Sequence, residues 1–199
     1  MIGDELLSDL LIATLPSSDE LTADELKRIA DEHACSQHPL FDLLESKTLS
    51  RKQMAALLFN YDAHASVLRR FLLRAAAIMP EEAVPLVLEN VRNEYGNGDY
   101  SRHHQLQLRD LAWKSGFSPS EFFDSSVESG VKSFIKAATR YYCPKRKQFP
   151  DKMKAPAIVS GAITATEILA IKEFAYLQKA FARIGMENHH WFHHVTIEL

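Results

Sequence analysis

The chain has 199 residues and a net charge of −3, with 46% hydrophobic and 25% charged residues, a composition that excludes a disordered, collagen-like or rod-like chain. That length suits a single domain, residues 1–199, with a core of its own. Lysine and arginine are scattered, leaving no basic footprint for nucleic acid or an anionic membrane, and the two cysteines, Cys35 and Cys143, lack disulfide or metal spacing and suit the reducing cytoplasm.

The opening MIGDELLSDLLIATL carries Asp4, Glu5 and Asp9 and no basic start, so it is a poor signal peptide, and its spacing predicts a helix over 4–14. No uninterrupted run of 18 apolar residues follows, and no membrane span is expected. Thr22 and Glu25 form a capping box ahead of a helix over 22–35. The longest stripe, from Leu57, Leu58 and Tyr61 through His64, Ala65 and Leu68 to Phe71, Leu72 and Ala75, has Arg69, Arg70 and Arg74 opposite. It predicts an amphipathic helix over 50–79, begun by Ser50. The same periodicity predicts helices over 81–95, 101–115, 119–139, 156–184 and from 188 to the end, with Pro80, Pro119 and Pro156 at or near first turns. Residues 143–156, with three prolines and five basic residues, read as a surface loop. No alternating strand pattern appears, so the expected fold is an all-α bundle of seven or eight helices.

Three segments carry the chemistry, and six of the nine histidines lie in two of them. In LENVRNEYGNGDYSRHHQL, Glu94 and His104 would stand about 15 Å apart on a straight helix, but Gly96-Asn97-Gly98 permits a bend that brings carboxylate and imidazole together. In SGAITATEILAIKEF, Glu167 sits among apolar residues, where a carboxylate is costly unless paired, protonated or bound to a cation. Glu173, beside Lys172, is expected to be solvated. In ENHHWFHHVTIEL, His190, His194 and Glu198 recur at four and share one helix face, with His189 and His193 facing elsewhere. Each segment alone also has a plain structural reading: a helix corner, a helix-surface glutamate and a polar terminal helix.

Together, the bent Glu-x9-His, the later helix glutamate preceded by small residues, and the terminal His-x3-acid resemble the haem-oxygenase-like diiron oxidases. This superfamily shares its fold with thiaminase II, pyrroloquinoline-quinone synthase and the chlamydial death-domain-associated protein. HPLFDLLESKTLSRKQMAALLFNYDAH is similar to the family's opening helices, and the resemblance covers residue 36 to the end. It implies a haem-oxygenase-like bundle with Glu94, His104, Glu167, His194 and Glu198 as ligands of two Fe(II) ions per chain. It further implies O2 as co-substrate and oxidation or cleavage of a small organic molecule: an amino acid, an amine or a fatty acid. It leaves room for an external electron donor and a homodimer.

Two departures stand out. The acid of the last motif is usually Asp and here is Glu198, and the closing histidine is due three residues later, where the sequence stops at Leu199. The expectation is that the gene product continues to that histidine. Phe59, Tyr61, His64, Leu68, Tyr176 and Phe192 are candidate substrate-pocket walls, each also readable as plain core, and His64 is read as a hydrogen-bonded core histidine. Rival readings are a thiaminase-like enzyme, which calls for a cysteine nucleophile beside acids, and a helical interaction protein. A self-modifying enzyme acting on Tyr61, Tyr141, Tyr142 or Tyr176 stays open.

Overall fold

The computed structural model describes residues 22–145 and 154–193, and every regular element among them is helical. The predicted helix 4–14, most of the 143–156 loop, and His194 and Glu198 lie outside the described residues. The described residues up to Gln37 and those from His38 onward belong to two compact units. In the first, α1 (Ala23–Glu32) begins with the expected capping box: Thr22 Oγ1 accepts from Glu25 N, and the Glu25 carboxylate accepts from Thr22 N. A short 3-10 turn, Ala34–Gln37, follows.

The second unit holds α2 (Pro39–Ser46), α3 (Arg51–Ala76), α4 (Val84–Glu94), α5 (His104–Lys114), α6 (Pro119–Phe123), α7 (Ser129–Tyr142) and α8 (Ala155–Ala182). Ser50 and Ser118 start α3 and α6 with capping boxes that use Gln53 and Glu121. Three expectations change. The His38-Pro39 start makes α2 an element of its own. The single helix over 119–139 is two helices, because the break between them has its own partner: Asn60 of α3 donates to Ser126 O and accepts from Glu128 N at 2.7 Å. From 188 onward the described chain forms a 3-10 turn, His190–Phe192, in place of an α-helix, with His189 Nδ1 accepting from Trp191 N as its cap. The recurrence at four therefore does not set the directions of these histidines.

Helix α3 is the hub and packs against α4, α5, α6 and α7, whereas α8 packs on α2 and α7. Two buried apolar clusters result. One gathers Leu58, Leu108, Leu111, Phe122, Phe174, Phe181, Trp191 and Phe192. The other gathers Phe71, Leu72, Ala75, Val87, Tyr142 and Val159. On α3 the clusters are separated by a stretch containing Tyr61, Asp62, His64 and Arg69, and on α8 by a stretch containing Glu167 and Glu173. Polar groups thus occupy a waist between two cores. Asp62 there is 5% exposed and accepts two hydrogen bonds from the Arg109 guanidinium, at 3.0 and 3.1 Å. Enclosing a carboxylate is costly, and the charge-assisted pair offsets that cost. By length and composition α8 is apolar enough to cross a membrane, although no single 18-residue stretch of it is free of charge or polarity.

Candidate metal centre

The bend expected after Glu94 is present. Gly96, Asn97 and Gly98 take φ of 76°, 56° and 92° in succession, and only glycine fits the first position. A Cβ on Gly96 would stand 2.8 Å from the backbone of Arg102 and His103. The chain therefore doubles back, and His104 Nδ1 comes to 3.0 Å from Glu94 Oε1 in surroundings that leave the two side chains 11% and 22% exposed. The neighbouring His103 goes elsewhere: it accepts from Arg69 Nη1 at 3.0 Å, while the Arg69 guanidinium lies over the Tyr95 ring.

Glu167 approaches from α8. Its Oε1 accepts from Asn90 Nδ2 at 2.9 Å, and Asn90 is one turn before Glu94 on α4, so the same helix face serves both carboxylates. Part of the Glu167 side chain is open to water, yet enough protein surrounds it to weaken its solvation. That desolvation, helped by the Glu94 charge, raises its carboxyl above the usual range, against the Asn90 hydrogen bond and His104. Glu94, His104 and Glu167 thus feel one another's charge, although their ligating atoms do not all lie within 4.8 Å of one another. Among the described residues that spacing is met by Asp110, His189 and His190.

Two expectations about neighbouring groups are corrected. Glu173 is not a solvated surface acid: Tyr61 Oη donates to its Oε2 at 3.4 Å, and burial pushes its carboxyl up to about 7. The helix turns it toward Tyr61, while the Lys172 ammonium lies over the Phe41 ring. The Tyr61 hydroxyl is raised in turn, first by burial and then by the Glu173 charge. His64 has no hydrogen-bond partner at Nε2 among the described residues. Its ring stands edge-on to Tyr61 and Phe134, and burial pushes it down to about 4, opposed weakly by Glu94.

The other pocket candidates sit in the cores: Phe59 against Phe122 and Phe123, Tyr176 against Phe41, and Phe192 against Phe181, with Leu68 packed on the second cluster. A cleft of about 820 Å³ opens beside the Glu94–His104 bend, lined by His104, Asn93, Gln107, Asp110, His190 and His193 among others. At its rim Asp110 Oδ2 receives Lys114 Nζ at 2.8 Å and His189 Nε2 at 3.0 Å, with His190 Nε2 at 3.9 Å. His189 and His190, expected to face apart, converge there.

Asn90 and Asp110 are the residues that the sequence reading lacked. Asn90 had a signal, its four-residue spacing to Glu94. Asp110 had none, since its hydrogen-bond partner His189 is 79 residues further along the chain. No protein-family model, curated protein or solved structure matches this chain.

Proposed function

We propose that the protein is a non-haem diiron oxidase or oxygenase that uses O2 to oxidise or cleave a small organic substrate, an amino acid, an amine or a fatty acid. The observation that carries this reading is the Glu94–His104 pair, joined by a glycine bend inside an all-helical bundle with Glu167 in the same electrostatic neighbourhood. The donor set fits iron in kind, since carboxylate oxygen and imidazole nitrogen suit Fe(II) and bundle proteins mount such ligands on facing helices. Glu94, His104 and Glu167 would hold the metal, with His194 and Glu198, outside the described residues, completing the set for two Fe(II) per chain. Iron bound there supplies O2 activation.

The chain's own contributions follow from its geometry. Asn90 orients Glu167 through its amide. Glu173, titrating near neutrality, accepts the Tyr61 hydroxyl at Oε2 and can hold a proton at Oε1, a reservoir linked to the centre by Tyr61, which also feels the Glu94 and Glu167 charges. The reducing cytoplasm suits both Fe(II) and the two free cysteines.

A second reading rests on a specific observation. Glu94 is partnered by His104 and Glu167 by Asn90, so each group is satisfied without a metal, as a helical interaction protein or a metal-free enzyme would have it. The thiaminase-like version is the weaker, because the Cys143 thiol stands at the end of α7 against Arg74. Anaerobic loading with Fe(II), removal of excess and metal analysis separate the two readings. Two irons per chain and O2 uptake on aeration support the oxidase, and a chain that retains no iron leaves the second reading.

A further inference from the structure

We propose that Asp110, His189 and His190 form a separate divalent-cation site at the rim of the cleft, built from one carboxylate and two imidazoles. The three ligating atoms lie within 4.8 Å of one another, and both histidines direct Nε2 at the same oxygen, Asp110 Oδ2. The imidazole planes lie 32° apart with centroids at 4.1 Å, so the two rings present their nitrogens side by side. Two histidines and one carboxylate with an open side form a recurrent donor set for divalent first-row metals, and here the open side is the cleft, which Asp110 and His190 both line. Each group is in the charge state that ligation needs near neutrality. Burial, first among the causes, holds both imidazoles below their ordinary range, and the hydrogen bonds from Lys114 and His189 hold the Asp110 carboxyl low against its desolvation.

A cation already occupies this position in part. The Lys114 ammonium is 2.8 Å from the shared oxygen, and its side chain is 56% exposed, so an entering metal displaces it into water. One proton must also move. His189 Nδ1 accepts from the Trp191 amide at 3.3 Å, which places the ring proton on Nε2, where it is donated to Asp110. Ligation through Nε2 transfers that proton to Nδ1 by exchange with solvent and gives up the long Trp191 contact, leaving the ring neutral throughout.

The test is a Zn(II) titration of the full chain, with nitrogen-15 spectra of the histidine rings. The Glu94→Gln/Glu167→Gln double variant, which disables the proposed iron centre, is expected to keep one zinc per chain. Asp110→Asn and His190→Ala are expected to weaken that zinc by at least about tenfold, and Lys114→Ala to tighten it. His190 is 49% exposed, so its removal leaves the fold intact even where Asp110→Asn loosens the terminal turn. The His189 ring should change from the Nε2–H to the Nδ1–H form as zinc binds. Unchanged zinc affinity in His190→Ala, or zinc lost only in the Glu94/Glu167 double variant, overturns the proposal. Failure of the iron centre itself would show in iron loading and leave this result untouched.

Discussion

Helix α5 carries a histidine at its first turn and an aspartate near its last, and the two are set in opposite surroundings. His104 faces Glu94 in the waist between two apolar clusters, where Glu167 and Glu173 are pushed toward their neutral forms and His64 is held uncharged. Asp110 sits at the rim of the cleft, and there the carboxylate stays ionised because Lys114 and His189 both donate to it. The residue types are the same and the solvation differs. In the waist, each charge costs desolvation energy unless a partner or cation offsets it. At the rim, water and an exposed lysine already do much of that work for Asp110, so the Asp110–Lys114 pair contributes little to stability and the lysine is free to give way to an ion.

The largest effect expected from this contrast is in iron retention. In a His190→Ala background, which removes the rim site, Glu167→Ala or Glu94→Ala should abolish Fe(II) uptake, while Lys114→Ala leaves it intact, as metal analysis after anaerobic loading would read. Iron retained by both glutamate variants would sink the assignment of the waist as the iron centre.

The waist should also dominate the pH dependence of stability. A histidine held at about 4 in the folded chain and near 6.5 when unfolded is fully tolerated above pH 6.5. Between pH 6.5 and 4 the unfolded chain binds the extra proton, so stability falls with pH by up to about 3 kcal/mol. His64→Leu should therefore gain stability over the native chain at pH 4.5 relative to pH 7.5 by that amount, read from denaturant midpoints of the two chains at each pH. Glu173 works in the reverse direction. With its folded carboxyl at about 7, the fold binds more protons than the unfolded chain between pH 4.5 and 7, and stability is lost as pH rises through that window. Glu173→Gln should stabilise the protein by as much as roughly 2 to 3 kcal/mol at pH 8 and have no effect at pH 4. An equal effect at both values would mean that Glu173 does not titrate in the waist.

The smallest effect belongs to the rim. The exposed Asp110–Lys114 pair, one turn apart on α5, is worth about 0.3 to 0.5 kcal/mol. Lys114→Ala should shift a thermal midpoint barely at all at low salt and not at all at high salt. A loss of several kcal/mol there would erase the distinction between waist and rim.

The sequence alone determined the helical class, most helix starts and the Glu94–His104 meeting, because these are local. Periodicity at three and four, a capping serine with its glutamate or glutamine three residues on, and a glycine with no room for a Cβ act over a few residues. It missed the break between α6 and α7, since the side chain that satisfies it, Asn60, is 66 residues away from Ser126. It also misread Glu173, His64 and His189, each for the same reason. Whether a carboxylate or imidazole is solvated, buried or paired depends on which helices surround it, and the hydrogen bonds of Glu173 with Tyr61 and of His189 with Asp110 span 112 and 79 residues. Local sequence sets the direction in which a helix begins, but desolvation is a property of the packed whole, so the charge states of the waist and the convergence at the rim were decided only when α3, α4, α5 and α8 came together.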